Sequence, residues 1–458
     1  MSNLRYFPNL VARLWHVDKY WNVFCTLSVI INFAPPMLLS FSVENFRSIK
    51  KRNTLTMSAA SIKDFPQAVY SIYSNQNPRI LKTACLIGAN AVGKSNLLKA
   101  IDAFSSLITG KVELNQVAIP FKLVGGYSEK PIHFEMVFLV DNQKFKYGVS
   151  ILNNRVHEEY LYSSISSKEE NIFLRSSNSF AFGNKIRKDL GGKLTLLSEM
   201  TRTDNLFLSV LSKYNYGLAI ELEQWFSKVL FFRDSEVENW IQFTARLMAA
   251  DSWAQNAINN FIKQTDVGID QLVERKSTSF RESNYSIGFL NLIESLSSRE
   301  LEIDSVHRRH SADLLSYEKS DEIFNLIMEE SSGTIKLVSL IGPILFAIKN
   351  RYILLIDELD SRLHSILLKH LYEFFLNNSH AVVASQVVFT MHNSFLLKKS
   401  MRRDQIILFE KDQYGGTSFQ SLHQKNPKVR NDASIEKDYL EGKYSAIPRI
   451  GGQLDLEF

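Results

Sequence analysis

Two cysteines in 458 residues, Cys25 and Cys85, are too few for a disulfide framework or a thiolate zinc site. That scarcity fits a reducing compartment, so the chain is read as cytoplasmic. Ten prolines and nineteen glycines exclude collagen-like and low-complexity classes. An excess of one charge is also missing. Lys and Arg number 53 against 48 Asp and Glu, and the net charge of +5 permits nucleic-acid contact without arguing for it. Nor does any run reach the roughly 18 apolar residues of a membrane helix. The nearest, 23–34, is broken by Thr26, Ser28 and Asn32. What remains is a soluble-type composition, long enough for two or three domains with a sizeable core.

Patterning divides this length. Leu38–Glu44 and Thr54–Ala59 read as strands joined by the basic turn Arg47-Ser48-Ile49-Lys50-Lys51-Arg52. A third strand, Leu81–Ile87, runs into a glycine-containing loop and a helix from about Ser95 to Leu107. Apolar alternation over His133–Val140, Lys144–Leu152 and Val156–Tyr162, punctuated by Asp141-Asn142 and Asn153-Asn154, predicts an antiparallel meander. A helix-rich stretch follows from Asn205 to about Gln264. Tyr352–Ile356 is an apolar run bounded by charge, as in a buried parallel strand. A helix (about Arg362–Leu376) and the strands Val387–Thr390 and Gln405–Phe409 complete an α/β pattern. There is no internal repeat and no long heptad array.

Gly88-Ala89-Asn90-Ala91-Val92-Gly93-Lys94-Ser95 fits the phosphate-loop pattern in full, between a strand and a helix. Gly88 and Gly93 let backbone N–H groups turn toward a phosphate at a helix N-terminus. Lys94 is expected to bridge β- and γ-phosphates, and Ser95 to complete a Mg²⁺ shell. Far downstream, Ile353-Leu354-Leu355-Ile356-Asp357-Glu358 delivers two carboxylates at the C-terminal end of a buried strand. Asp357 is expected to hold Mg²⁺, and Glu358 to orient or deprotonate an attacking water.

Ser331-Ser332-Gly333 precedes an apolar helix, Ile335 to about Ile348. Alone it reads as an ordinary helix N-cap. Its place just ahead of Asp357 turns it into a candidate γ-phosphate grip at a positive helix end, through Ser332 and Gly333. Asp360-Ser361 follow the carboxylates, and His392 ends the next buried strand, positioned to touch a γ-phosphate. The order phosphate loop, signature, Walker B, D-loop, switch histidine is that of ABC ATPases. It predicts Mg-ATP sites completed only when two copies pair head to tail.

These residues, with Leu38–Ser48 and Asp438–Tyr444, resemble the overcoming-lysogenization-defect and abortive-infection group of ABC ATPases, close to the RecF/SMC branch. The resemblance covers about 37 to 450 and is vague between roughly 165 and 320. It implies that Arg47, and with it Lys50, lies beside the nucleotide. Members of the lysogenization-defect type carry a Toprim nuclease after the ATPase, and the stretch after His392 is too short for one. Glu410 and Asp412 read instead as a strand end entering a hairpin. The remainder resembles RloA, AbiL and PARIS-type phage-defence ATPases, in which a separate effector does the damage.

The expected fold is α/β: an ABC-type P-loop ATPase with a mixed sheet core, an antiparallel β lobe and a helical lid insertion. Its expected parts are an extension over 1–36, an ATPase lobe over 37–164, a helix-rich lid over 165–320 and a second ATPase lobe over 321–458. Arg5, Arg13 and Lys19 give the extension the outline of a signal peptide, but an exported ATPase would lack fuel. An upstream, non-native start is the simpler expectation for it. A Q-loop glutamine is not evident, Gln116 being a weak candidate. His307-Arg308-Arg309-His310 reads as a solvated turn. Lys398, Lys399, Arg402 and Arg403 form a basic patch that reads first as a solvated helix end, with a DNA-facing surface as the alternative. The expected partners are a second copy or larger homo-oligomer and a separate effector, with DNA contact as a further option and no membrane. The rival readings are a RecF-like DNA-repair ATPase, an ATP-gated nuclease and a non-hydrolysing clamp.

Overall fold

The structure, a computed structural model, describes residues 37–70, 79–165, 168–276, 301–312, 317–378, 385–398, 400–425, 429 and 434–447. The extension expected over 1–36 and Lys399 of the basic stretch lie outside the described residues.

The predicted meander is present and larger than expected. Ile132–Val140, Gln143–Leu152 and Arg155–Ile165 pair antiparallel, Lys168–Ser176 and Ser179–Phe182 extend the sheet on one side, and Met37–Glu44 and Asn53–Thr56 on the other. The two hairpins that join Ile132–Val140, Gln143–Leu152 and Arg155–Ile165 turn on two residues each. Asp141 and Asn142 have φ of 46° and 65°, Asn153 and Asn154 of 51° and 56°. Positive φ at both central positions is the type I′ geometry that matches strand twist, and Asn and Asp tolerate it best after glycine.

A second sheet runs in the order Val229–Phe232, Ile353–Ile356, Gln386–Met391, Thr83–Ile87, Ile406–Lys411, Thr417–Ser421. The first five strands are parallel, and the last returns antiparallel as a hairpin. All residues of Ile353–Ile356 and of Thr83–Ile87 are buried, which is why these strands read as unbroken apolar runs. A three-stranded antiparallel sheet, Gln271–Lys276, Leu301–His310 and Tyr317–Asn325, stands apart from both. His307-Arg308-Arg309-His310, expected as a turn, continues its middle strand.

The helix Lys94–Ile108 packs between the two large sheets. Phe104, fully buried, has its ring 5.6–6.1 Å from those of Phe41, Phe134, Tyr147 and Phe226. Such ring pairs contribute about 0.5–1.5 kcal/mol each beyond burial. Leu355 and Val388 of the parallel sheet belong to the same core as Phe41 and Phe134 of the antiparallel one. The helix after the phosphate loop is therefore held from both sides.

Ser332–Asn350 is long and apolar enough, by length and composition, to cross a membrane. It lies in the protein core instead, with 78% of that stretch buried, against the helix Val237–Ala250. Thr244 there donates to Trp240 O (2.9 Å) and Val338 O (3.2 Å), tying the two helices by one hydroxyl.

The boundaries expected at 164 and 320 do not fall between structural units. The meander runs on through Phe182, and Val229–Phe232 joins the parallel sheet as an edge strand beside Ile353–Ile356. One strand of the middle segment is thus built into the sheet that carries the carboxylates.

One buried charge pair fastens the meander to the helix Phe207–Lys213. Glu159, fully buried, accepts from the backbone N–H groups of Phe207 (2.7 Å) and Leu208 (2.9 Å) and from the Tyr147 hydroxyl (2.9 Å). Arg175 lies 3.4 Å away and also donates to Asn205 O and Arg202 O. Burial raises the pKa of Glu159, and Arg175 with the two N–H groups opposes the shift. Glu159→Ala would strand Arg175 and two helix-start N–H groups. It should lower unfolding free energy by about 3–5 kcal/mol in urea titration, more than Glu159→Gln.

Candidate functional site

The phosphate loop leaves the strand Thr83–Ile87 at Gly88 and enters its helix at Lys94. Ala91 (φ 57°) and Gly93 (φ 105°) are left-handed. A methyl group on Gly93 would lie 2.3 Å from Thr417 Oγ1 and 2.6 Å from Ser48 Oγ, so only glycine fits. Lys94 is 5% exposed. Its ammonium donates to Gly88 O (2.8 Å) and Ala89 O (3.0 Å) and lies 3.4 Å from His392 Nδ1. Burial lowers its pKa, while Asp360, Asp357 and Glu358 pull it back up. Among the described residues no carboxylate forms an ion pair with it.

The carboxylates stand one strand away, across Gln386–Met391. Ser95 Oγ donates to Asp357 Oδ1 at 2.8 Å. Thr390 Oγ1 donates to the same oxygen at 2.7 Å and accepts from Glu358 N at 2.7 Å. Glu358 is left-handed (φ 54°), a strain of about 1–3 kcal/mol that the Thr390 contact helps to hold. Asp360 Oδ2 accepts from His392 N (2.8 Å) and Asn393 N (2.6 Å), fixing the histidine's backbone to the loop after Walker B. Lys94, Ser95, Asp357, Glu358 and His392 are thereby brought together, as the sequence pattern predicts.

The basic turn also reaches the loop. Asn96 Nδ2 donates to Ser48 Oγ (2.7 Å), and Thr417 Oγ1 donates to Val92 O (2.7 Å) beside it. Arg47 is exposed and left-handed (φ 50°), its guanidinium 5.6 Å from the Phe46 ring and its N–H on Ile119 O. Lys50 pairs with Asp412 at 2.7 Å and sits between the rings of Phe121 and Tyr414. Arg47 therefore stands on the rim of the phosphate loop with its side chain in solvent.

Ser331 caps the helix Ser332–Asn350 by accepting from Thr334 N at 3.1 Å. Ser332, the first helical residue, is exposed, and Gly333 is half-buried. Among the described residues no hydrogen bond joins either to the loop 88–95 of the same chain.

Three expectations change. Gln116 is exposed and completes a capping box with Glu113 in the short helix Leu114–Val117. Arg402 is buried, paired with Asp404 at 2.8 Å, and donates to Ala60 O, Ile62 O and Asp64 O. It therefore belongs to no basic surface, and Arg403 reaches Val429 O at 2.6 Å. His307 Nε2 lies 2.7 Å from Glu330 Oε1, joining the small sheet to the residue before the Ser-Ser-Gly run.

Sequence reasoning overlooked Ser48, Asn96, Thr390 and Thr417, which hold the loop and carboxylates in place. Thr390 ends the strand Val387–Thr390 read from the sequence, and its contact with Asp357 arises only from the pairing of that strand with Ile353–Ile356. The strand Val229–Phe232, with Asp234 after it, was also overlooked, although its four-residue apolar run ends in charge.

A parallel sheet with the phosphate loop after its central strand, carboxylates on a second strand and an antiparallel sheet across the intervening helix define a P-loop domain of the ABC type. The chain belongs to the family described as "AAA domain, putative AbiEii toxin, Type IV TA system", whose model matches residues 84–398. No curated protein matches the sequence. Similar solved structures include the SMC head domain from Thermotoga maritima, at 12% identity and TM-score 0.40, covering 84% of this chain and 98% of that one. An SMC head bound to the C-winged helix domain of ScpA is 14% identical, with TM-score 0.35 and coverage of 84% and 97%. The recombination mediator protein RecF with ATP is 13% identical, with TM-score 0.34 and coverage of 85% and 99%.

Thr390→Val tests the carboxylate frame, because it strands Glu358 N–H and removes a donor from Asp357. The variant should lose about 1–3 kcal/mol of unfolding free energy, read by urea titration. An unchanged midpoint would mean that the Thr390 hydroxyl carries no such role.

Proposed function

We propose that the chain binds Mg-ATP at the Gly88–Ser95 loop and hydrolyses it at sites completed by a second copy, as the sensor or regulator of a separate effector in phage defence. The observation that carries nucleotide binding is the buried Lys94 ammonium, held by carbonyls without a paired carboxylate. A triphosphate supplies the missing anion, and Gly88 to Ser95 offer it backbone N–H groups at a helix N-terminus. Ser95 Oγ and Asp357 Oδ1, already 2.8 Å apart, suit Mg²⁺, which takes few protein ligands and completes its shell with water and phosphate oxygens. When bound, the ion neutralises charge on the phosphates. Glu358 would orient or deprotonate the water, and His392 would touch the γ-phosphate.

Completion by a second copy is supported by the exposed Ser332 at the start of its helix. The defence role rests on the family description and on the likeness to RloA, AbiL and PARIS-type ATPases. A RecF-like repair role keeps less support, because Arg402 turns inward and leaves the supposed DNA-facing patch. DNA-stimulated turnover would restore that reading, and cleavage of DNA or tRNA by the purified protein would favour the nuclease.

Lys94→Ala should abolish ATP binding in calorimetric titration, together with the rise in melting temperature that ATP gives the wild type. Retained binding would show the phosphate-loop reading to be misplaced. Glu358→Gln should gain mass with ATP and Mg²⁺ in light scattering, as a pair that cannot turn over. Ser332→Arg should leave ATP binding by dilute protomers intact yet stop turnover; normal turnover would sink completion in trans.

A further inference from the structure

Asp234 follows the strand Val229–Phe232 and opens a short turn at the edge of the parallel sheet. Phe232 is the register partner of Ile356, and Asp357 N donates to Phe232 O at 3.0 Å. Asp234 and Glu358 each come two residues after this register pair. Three side chains from two other parts of the chain meet on the Asp234 carboxylate. Lys336 Nζ donates to Oδ1 at 2.5 Å, Ser361 Oγ donates to the same oxygen at 3.1 Å, and Arg362 lies 3.5 Å from Oδ2.

Lys336 is the unusual member. It is completely buried, with its ammonium 4.7 Å from the Phe232 ring. It lies one helical turn after Ser332, on the same face. A buried cation this near a helix N-terminus is disfavoured twice, by desolvation and by the positive helix end. Burial lowers its pKa, and Asp234 restores the charged form, with Glu358 adding to it. Backbone contact completes the junction: a methyl group on Gly333 would lie 2.9 Å from Arg362 O, and Arg362 is left-handed (φ 62°).

We infer that Asp234 is a positioning residue that locks the Ser332-Gly333 helix start to the Asp360-Ser361 loop, so that the surface offered to a second copy moves as one body with the protomer's own Walker B strand. The inference rests on the proposed pairing around ATP. Through this lock, a shift of Glu358 and the loop after it on one protomer's nucleotide is passed to the helix start that would grip its partner's.

Asp234→Asn alone leaves Lys336 as a buried cation and should melt early. The decisive variant is therefore Asp234→Asn with Lys336→Met, which removes both charges at similar volume. Built on Glu358→Gln, it should bind ATP as dilute protomer within about twofold of its parent, yet need about tenfold more protein to pair with ATP. Fluorescence titration reads the first quantity and light scattering across protein concentration the second. Pairing at the parent's concentration overturns the inference. So does an equal loss of ATP affinity, which would make Asp234 part of the fold of the nucleotide site. A parent that binds ATP but never pairs removes the composite-site reading and this one with it.

Discussion

A buried ammonium without a carboxylate partner is costly, and the site is built around one. Lys94 sits 5% exposed with two carbonyls for company. Burying an unpaired charge costs several kcal/mol, so the surrounding core must be stable enough to hold it. The aromatic cluster about Phe104 does this, one side of the helix against the antiparallel sheet and the other against the parallel one. The two-sheet architecture is the condition for a charged loop that stays folded before an anion arrives.

The same constraint explains the crowding of small polar side chains around the loop. Ser48, Asn96 and Thr417 hold its flank, while Thr390 ties Asp357 and Glu358 at its far end. Each short side chain satisfies a backbone group or a neighbour without taking the space a triphosphate would fill. Three left-handed residues that are not glycine, Arg47, Ala91 and Glu358, also fall in these segments. Strain of this kind persists only where hydrogen bonds and packing over-determine it.

The sequence made the local chemistry legible because the chemistry is itself local. A strand, a glycine loop and a helix must be contiguous to aim N–H groups at one point, so Gly88–Ser95 is visible as a word. Ile353–Glu358 is visible for the same reason, and the meander because alternation and Asn turns have a period of their own. What the sequence hid depends on pairs far apart in the chain. Asp234 acquires meaning only when Val229–Phe232 pairs with Ile353–Ile356, and that apolar run was masked by helices on either side. Arg402 looked like surface from its basic neighbours, yet three carbonyls of the segment Ala60–Asp64 draw it inward. Composition cannot distinguish an arginine that solvates from one that staples.

The position of the middle segment changes what a conformational step could mean. A lid laid over a sheet moves on its own hinges and can respond only to what lies beneath it. An edge strand hydrogen-bonded along Ile353–Ile356 shares the displacement of the carboxylates themselves. Each protomer then carries two positive features open to a phosphate: the Lys94 ammonium, without an ion-pair partner among the described residues, and the exposed Ser332 helix start. Facing head to tail without nucleotide, two copies would set these features against each other and repel. With a triphosphate between them each feature finds its counter-charge, so on the proposed reading the electrostatics alone make pairing conditional on ATP.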